Sequence, residues 1–202
     1  MDQAPTAILI GPPGAGKTTI GKRLAKVLRV QFIDVDSEIV RREGRSIGDI
    51  FSTEGEPRFR QIEEDVVADV VAHQTGVISL GGGAILSSRT RELLSAYQVV
   101  YLELTVDEGI KRTVGSGRPL LAGDDPAAKY RALMAHRAPI YRDLATIRVS
   151  TVGRAPASVV RQVQRRLKDT EPGRVRRGPW PKLPAVLRSP GSKSGSGRNR
   201  TE

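Results

Sequence analysis

Cysteine is absent and histidine occurs only at 73 and 136. Disulfides, thiolate metal sites and cysteine nucleophiles are excluded, a His-rich metal site cannot be assembled, and a Ser-His-Asp triad is disfavoured. No run of residues approaches the ~18 consecutive apolar positions that a membrane-spanning helix needs. Met1 to Thr6 lacks the basic-then-apolar pattern of a secretory signal, so no export is expected and a cytoplasmic location is. Aromatics make up only 4% of the chain, which argues against base stacking on its folded part. What is present suffices for a core. Hydrophobic residues account for 38% of the 202, and 21 glycines bring the broader apolar share to an average globular value. A wholly disordered chain is thereby excluded, and the length suits one domain, or one domain with a tail.

Charge is one-sided, with 33 Lys and Arg against 22 Asp and Glu, a formal net of +11. Such a balance suggests an anionic partner, but its distribution weakens that inference. Residues 171–202 hold eight basic and two acidic residues, a net of +6, which leaves +5 for residues 1–170. The same 32 residues carry five of the 13 prolines and the run Gly191-Ser192-Lys193-Ser194-Gly195-Ser196-Gly197, without apolar periodicity. A segment of that composition buries too little surface to offset chain entropy. It is expected to be a disordered basic tail, either solvated or making electrostatic contact with an acidic surface or nucleic acid.

Residues 1–170 alternate strand and helix patterns. Ala7-Ile8-Leu9-Ile10 reads as a buried strand, Lys17 to Leu28 as a helix with Ile20, Leu24, Val27 and Leu28 on one face, and Phe32-Ile33 as a second strand. Pro57 opens a long helix to about His73, with acidic residues near its start, where the dipole favours them. Val77 to Leu80 and Val99 to Leu104 read as strands, and Pro126 to Tyr141 as a helix interrupted by Pro139. Ile147 to Ser150 is a last strand and Ala157 to Leu167 a last helix. Strands separated by helices imply a mostly parallel sheet covered on both faces, with ligands at the carboxyl ends of the strands.

The strongest local signal is Gly11-Pro12-Pro13-Gly14-Ala15-Gly16-Lys17-Thr18, which fits G-x-x-x-x-G-K-[ST] with a strand before it and a helix after it. Glycines let backbone N–H groups approach phosphate oxygens, and the helix N-terminus adds positive potential. Lys17 is placed to reach the β- and γ-phosphates and Thr18 to ligate Mg²⁺. The motif implies binding of a nucleoside triphosphate with Mg²⁺. It leaves open whether water or another acceptor receives the phosphoryl group.

Asp34 and Asp36 follow the second strand. If the chain is extended there, both project toward the triphosphate. One carboxylate suits Mg²⁺ and the other suits a base for an acceptor hydroxyl. The alternative for Asp36 is a cap on a helix starting at Ser37, and both roles are compatible. Arg60, Arg137 and Gly81-Gly82-Gly83 are weak signals singly. Beside a phosphate loop they suggest a site for a small anion, because guanidinium forks pair with carboxylates and bare glycine backbone admits a polar ligand. The polar segment 114–126, with Arg118-Pro119-Leu120-Leu121, reads as a lid that excludes water or as an ordinary surface loop.

Together, the phosphate loop, Asp34-x-Asp36, Phe59-Arg60-x-x-Glu63, Gly81-Gly82-Gly83, Arg118-Pro119-Leu120-Leu121 and Arg137-Ala138-Pro139 resemble the shikimate kinase family, in its actinobacterial form. The resemblance spans about Ala7 to Leu167. It implies an α/β P-loop kinase fold of the nucleoside-monophosphate-kinase type, with a five-stranded parallel sheet flanked by helices, an acceptor-binding segment at about 35–63 and a lid. The implied reaction is ATP-dependent phosphorylation of the 3-hydroxyl of shikimate. Asp36 would be the base. Arg60 and Arg137 would clamp the carboxylate, with Gly81, Gly82 and Gly83 against the ring substituents and Glu63 supporting Arg60. Phe51 and Phe59 would line the apolar side of the ring. Gly14, Ala15, Gly16, Lys17, Thr18 and Thr19 would hold the phosphates, and Arg118 would come down with the lid. Thr18 and Asp34 would hold Mg²⁺, with Ser79 acting through water. Arg112, Arg154 and Pro156 would form the adenine pocket. The resemblance further implies a monomer acting on ATP and shikimate, with no membrane or nucleic-acid partner. The rival readings are another small-molecule kinase of the same fold, for gluconate or a nucleotide, and a nucleoside triphosphatase acting on nucleic acid. Deleting 171–202 is expected to leave kcat and KM unchanged in a steady-state assay; a large loss would show that this segment packs on the domain or its site.

Overall fold

The computed structural model describes residues 4–113 and 125–169. The basic segment 171–202, most of the expected lid and Arg118 lie outside the described residues. Five strands are present: β1 (Ala7–Ile10), β2 (Phe32–Asp34), β3 (Val77–Ser79), β4 (Val99–Glu103) and β5 (Ile147–Ser150). They form one parallel sheet in the order β2-β3-β1-β4-β5. The helices are α1 (Lys17–Leu28), α2 (Val35–Glu43), α3 (Ile47–His73), α4 (Ser88–Leu94), α5 (Val106–Thr113), α6 (Pro126–Leu144) and α7 (Pro156–Asp169).

Alternation along β1 sorts the core into two layers. Ala7 and Leu9 face a cluster with Ile20 and Leu24 of α1 and Val159, Val160 and Val163 of α7. Ile8 and Ile10 face the other cluster, with Val66, Val67 and Val70 of α3, Leu94 of α4 and Tyr141 of α6. All four residues of β1 are buried, as a central parallel strand covered on both faces requires. The loops that leave β1, β2 and β3 at their carboxyl ends therefore open on one edge of the sheet, and the site is built there.

The five expected strands and the helices at 17–28 and 156–169 occur where apolar spacing is strong. The helices α2, α4 and α5 were not legible in that spacing. Only Val35 and Ile39 of α2 are buried, and α5 buries Gly109 and Thr113, so neither has an apolar stripe long enough to read. The helical stretch at 57–73 begins as expected, because Gly55 (φ 79°, ψ 171°) breaks α3 immediately before it. The helical turns at 47–54 precede that break, closed by a capping box between Ser46 and Asp49. Helix α6 runs through Pro139 to Leu144 without interruption, contrary to expectation. Ala135 and Pro139 are both exposed, so water can take the carbonyl that the missing proline N–H leaves free. No helix among the described residues is long and apolar enough to cross a membrane.

Helix α5 packs on α6 through a glycine. A Cβ at Gly109 would lie 2.0 Å from the hydroxyl oxygen of Tyr130, a fully buried side chain. Helix propensity alone predicts that Gly109→Ala stabilises by ~1 kcal/mol. The close contact predicts the opposite, a loss of about 1–3 kcal/mol. A thermal melt decides between them, and a raised Tm would show that Tyr130 can move aside at no cost.

Candidate active site

The phosphate loop turns from β1 into α1 with Gly14 and Gly16 in the left-handed region, at φ 82° and 84°. A side chain there would be strained, which explains glycine at both positions. Gly16 is the residue before α1, and it has no side chain to occupy the first-turn N–H groups. Those groups supply the positive end of the helix to an anion. Lys17 Nζ donates to the carbonyls of Gly11 and Pro12, at 2.7 and 3.2 Å. The hydroxyl of Tyr130 donates to Pro13 O at 3.0 Å, fixing the loop from α6.

A cleft of about 230 Å³ lies against this loop, lined by Gly14, Gly16, Lys17, Thr18, Thr19, Asp34, Asp36, Ser79, Leu80, Gly82 and Arg112. Ala15, in the same loop, is buried. Asp34 and Asp36 both reach the cleft, but not by strand alternation. Strand β2 ends at Asp34 and helix α2 begins at Val35, so Asp36 sits in the first helical turn. The cap is Asp34, whose carboxylate accepts from Ser37 N at 3.5 Å; Asp36 does not cap a helix starting at Ser37. The capping carboxylate also meets the phosphate loop, because Thr18 Oγ1 donates to Asp34 Oδ2 at 2.8 Å. A hydroxyl and a carboxylate in contact are the hard oxygen donors that Mg²⁺ accepts. No group of three His, Cys, Asp or Glu among the described residues could hold a metal alone. A Mg²⁺ fits here only with phosphate and water completing its shell.

A second group of residues grows from a buried carboxylate. Glu63 is 3% exposed, and burial pushes its carboxyl above the ordinary value. Arg60 opposes that shift first, Asp36 adds to it, and Arg137 opposes it further. Arg60 Nη1 donates to Glu63 Oε2 at 2.7 Å. The glycine loop fits over these groups only without side chains. A Cβ at Gly81 would lie 2.5 Å from Glu63 Oε1 and 2.7 Å from Asp36 Oδ1, and one at Gly83 would lie 2.2 Å from Arg60 Nη1. Arg137 Nη1 and the Tyr141 hydroxyl both donate to Gly82 O, at 3.1 and 2.6 Å. Asp36, Arg60, Glu63, Gly81, Gly82, Gly83 and Arg137 thus form one connected group. Phe59 is buried in the core, its ring 4.7 Å from that of half-buried Phe51.

Arg112 stands at the other end of the phosphate cleft. It donates to Gly14 O at 3.3 Å and to Thr151 O at 3.4 Å, and pairs with Glu108 at 2.8 Å. Arg154 is exposed and donates to Gln162, and Pro156 opens α7. Neither lines the phosphate cleft. Tyr130 and Tyr141 are the supporting residues that motif reading missed. Tyr141 follows Arg137 by four residues and so shares its helix face, which was the available signal. Burial pushes the Tyr141 phenol above its ordinary value, which favours its protonated, hydrogen-donating form.

A parallel sheet in this order, with a phosphate loop after its central strand and Asp36, Arg60 and Arg137 gathered at the neighbouring glycine loop, defines a P-loop phosphotransferase of the nucleoside-monophosphate-kinase type. A family model described as shikimate kinase matches residues 13–168. The chain is 57% identical over 166 residues to the shikimate kinase of Rhodococcus erythropolis, covering 82% of this chain and 98% of that one. It is 56% identical over 170 residues to that of Mycobacterium tuberculosis, covering 84% and 97%. A solved structure of the shikimate kinase from Acinetobacter baumannii in complex with shikimate superposes with a TM-score of 0.79 at 36% identity, covering 83% of this chain and 95% of that one. The chain belongs to the shikimate kinase family.

Lys17→Ala is expected to reduce phosphoryl transfer to background with only a small fall in Tm, since the glycine turns and the Tyr130 bond still hold the loop once the Lys17 bonds to Gly11 O and Pro12 O are lost. Near-normal turnover would remove Lys17 from the reaction.

Proposed function

We propose that this chain transfers the γ-phosphoryl group of ATP to the 3-hydroxyl of shikimate, giving shikimate 3-phosphate and ADP. The observation that carries the reading is the way the glycine loop joins two sets of residues. Lys17, Thr18, Asp36 and Gly82 line the phosphate cleft, while Gly81 packs on Asp36 and Glu63, Gly83 on Arg60, and Arg137 donates to Gly82 O.

The acceptor is a rigid polyol carboxylate. Arg60 and Arg137 hold its carboxylate, because a guanidinium matches a carboxylate in charge and geometry. Glu63 keeps Arg60 in place. Gly81, Gly82 and Gly83 let the ring hydroxyls approach the backbone, and Phe51 and Phe59 lie on its apolar side. Asp36 takes the proton from the 3-hydroxyl as that oxygen bonds to the γ-phosphorus, and the bond from phosphorus to the β,γ-bridging oxygen breaks to release ADP. Lys17 contacts the moving phosphoryl group, and Arg118 adds a second cation from the lid. Thr18 and Asp34 would hold Mg²⁺, with Ser79 acting through water. Bound there, the ion neutralises charge that builds between the β- and γ-phosphates. Gly14, Ala15, Gly16 and Thr19 complete the phosphate cradle, and Arg112, Arg154 and Pro156 receive the adenine. The domain assigned to this activity is 1–170, within which the described residues 4–113 and 125–169 fall. The reaction requires one copy of the chain and two small substrates, and a cytoplasmic location is proposed with it.

ADP release with Mg²⁺ and ATP tests the reading directly, comparing shikimate with gluconate, a nucleoside monophosphate and single-stranded nucleic acid. Strong stimulation by shikimate alone is expected. Turnover on another acceptor and none on shikimate would keep the phosphate loop and discard the acceptor assignments. Asp36→Asn should lower kcat by roughly 10²–10⁴ if Asp36 is the base. A drop below ~10-fold would reduce it to a hydroxyl-binding group.

A further inference from the structure

The guanidinium of Arg60 is already loaded with carboxylates. Its Nε and Nη2 donate to Glu56 Oε1, at 3.1 and 2.7 Å, while Nη1 donates to Glu63 Oε2 at 2.7 Å. A bidentate carboxylate needs two parallel N–H groups on one edge of the fork. The Nε–Nη2 edge belongs to Glu56, so a substrate carboxylate meets a cation paired with two acids from its own helix.

The two acids are not equivalent. The Glu63 side chain is 4% exposed and the Glu56 side chain 47%. Glu63 cannot leave without stranding a buried charge. Glu56 can turn into water. It also sits at the break in α3, between Gly55 and Pro57, outside the regular helical ladder because Pro57 has no N–H to donate. A cleft of about 760 Å³, lined by Glu56, Arg60, Gln61 and Gly83 among others, opens beside it and gives the displaced side chain room.

We propose that Glu56 is an internal competitor for the acceptor carboxylate. It occupies Arg60 in the resting site, and the substrate carboxylate displaces it. The exchange keeps the charge around Arg60 constant. It also acts as a selection step: an acceptor without a carboxylate does not displace Glu56 and gains nothing from Arg60. The proposal rests on the placement of the shikimate carboxylate at Arg60 given above.

Glu56→Gln removes the charge at nearly constant size, and Glu56→Asp keeps the charge but shortens its reach. Both should lower KM and Kd for shikimate, by roughly three- to fivefold, the fold-change that a half-exposed ion pair corresponds to. With kcat within about twofold and KM for ATP unmoved, the effect is one of acceptor binding alone. A structural prop would move the other way, so KM for shikimate that is unchanged or raised in both variants overturns the proposal. Arg60→Lys is the control, because Lys cannot reproduce the fork, and KM for shikimate should rise by about tenfold or more. If Arg60→Lys leaves that KM alone, the carboxylate is not at Arg60, and the failure lies in the functional reading whatever the Glu56 variants do.

Discussion

The group of residues around the glycine loop depends on one buried carboxylate. Glu63 of α3 is buried beneath Gly81, and the charge it carries as an ion is met there by its pair with Arg60 and by nearby Arg137. That pairing fixes where the Arg60 fork stands. It also forbids side chains on Gly81 and Gly83, since the Glu63, Asp36 and Arg60 atoms fill the space a Cβ would take. The bare loop, the oriented cation and the nearby Asp36 are consequences of the same local charge balance. Removing Arg60 entirely would leave Glu63 unpaired in the core, so an alanine variant there mixes a stability loss with any loss of binding.

Helix α6 ties the two halves of the cleft together. Through Tyr130 it holds Pro13 O of the phosphate loop, and through Arg137 and Tyr141 it holds Gly82 O of the glycine loop. Tyr141 in turn stacks on Tyr101 of β4, with ring centroids 5.1 Å apart. Phenol hydroxyls that are fully buried need partners. Here those partners are backbone carbonyls of the two functional loops, so the packing that buries the aromatics also sets loop position. Two buried tyrosines in a chain with few aromatics thus serve the site as much as the core.

Much of this was legible along the chain. The phosphate loop was legible because its requirements are local: positive φ at fixed positions, a helix start, one Lys and one hydroxyl. The five strands were legible because a fully buried parallel strand is a short apolar run. Asp34, Asp36, Arg60, Glu63 and Arg137 stood out along the chain as a set, and the fold brings them near one another. The path to Asp36 was not legible. An extended Asp-x-Asp and a strand-to-helix switch at Val35 place the second carboxylate by different geometry, and α2 buries too few apolar residues to declare itself. The continuity of α6 through Pro139 was also hidden, because solvent exposure at that turn is a property of the packed molecule.

The sequence by itself determined the nucleotide side of the cleft and the layered α/β architecture, since both follow from short-range backbone demands and from apolar periodicity. Only the tertiary structure decided which acid caps α2, which carbonyls Tyr130 and Tyr141 hold, and that Arg60 is shared between a buried and an exposed glutamate. Those outcomes depend on burial, and burial is set by elements far apart in the chain: α3 against the loop after β3, and α6 against both functional loops. An ion's partners in a protein are chosen by where water is excluded, and the linear order of residues does not say where that is.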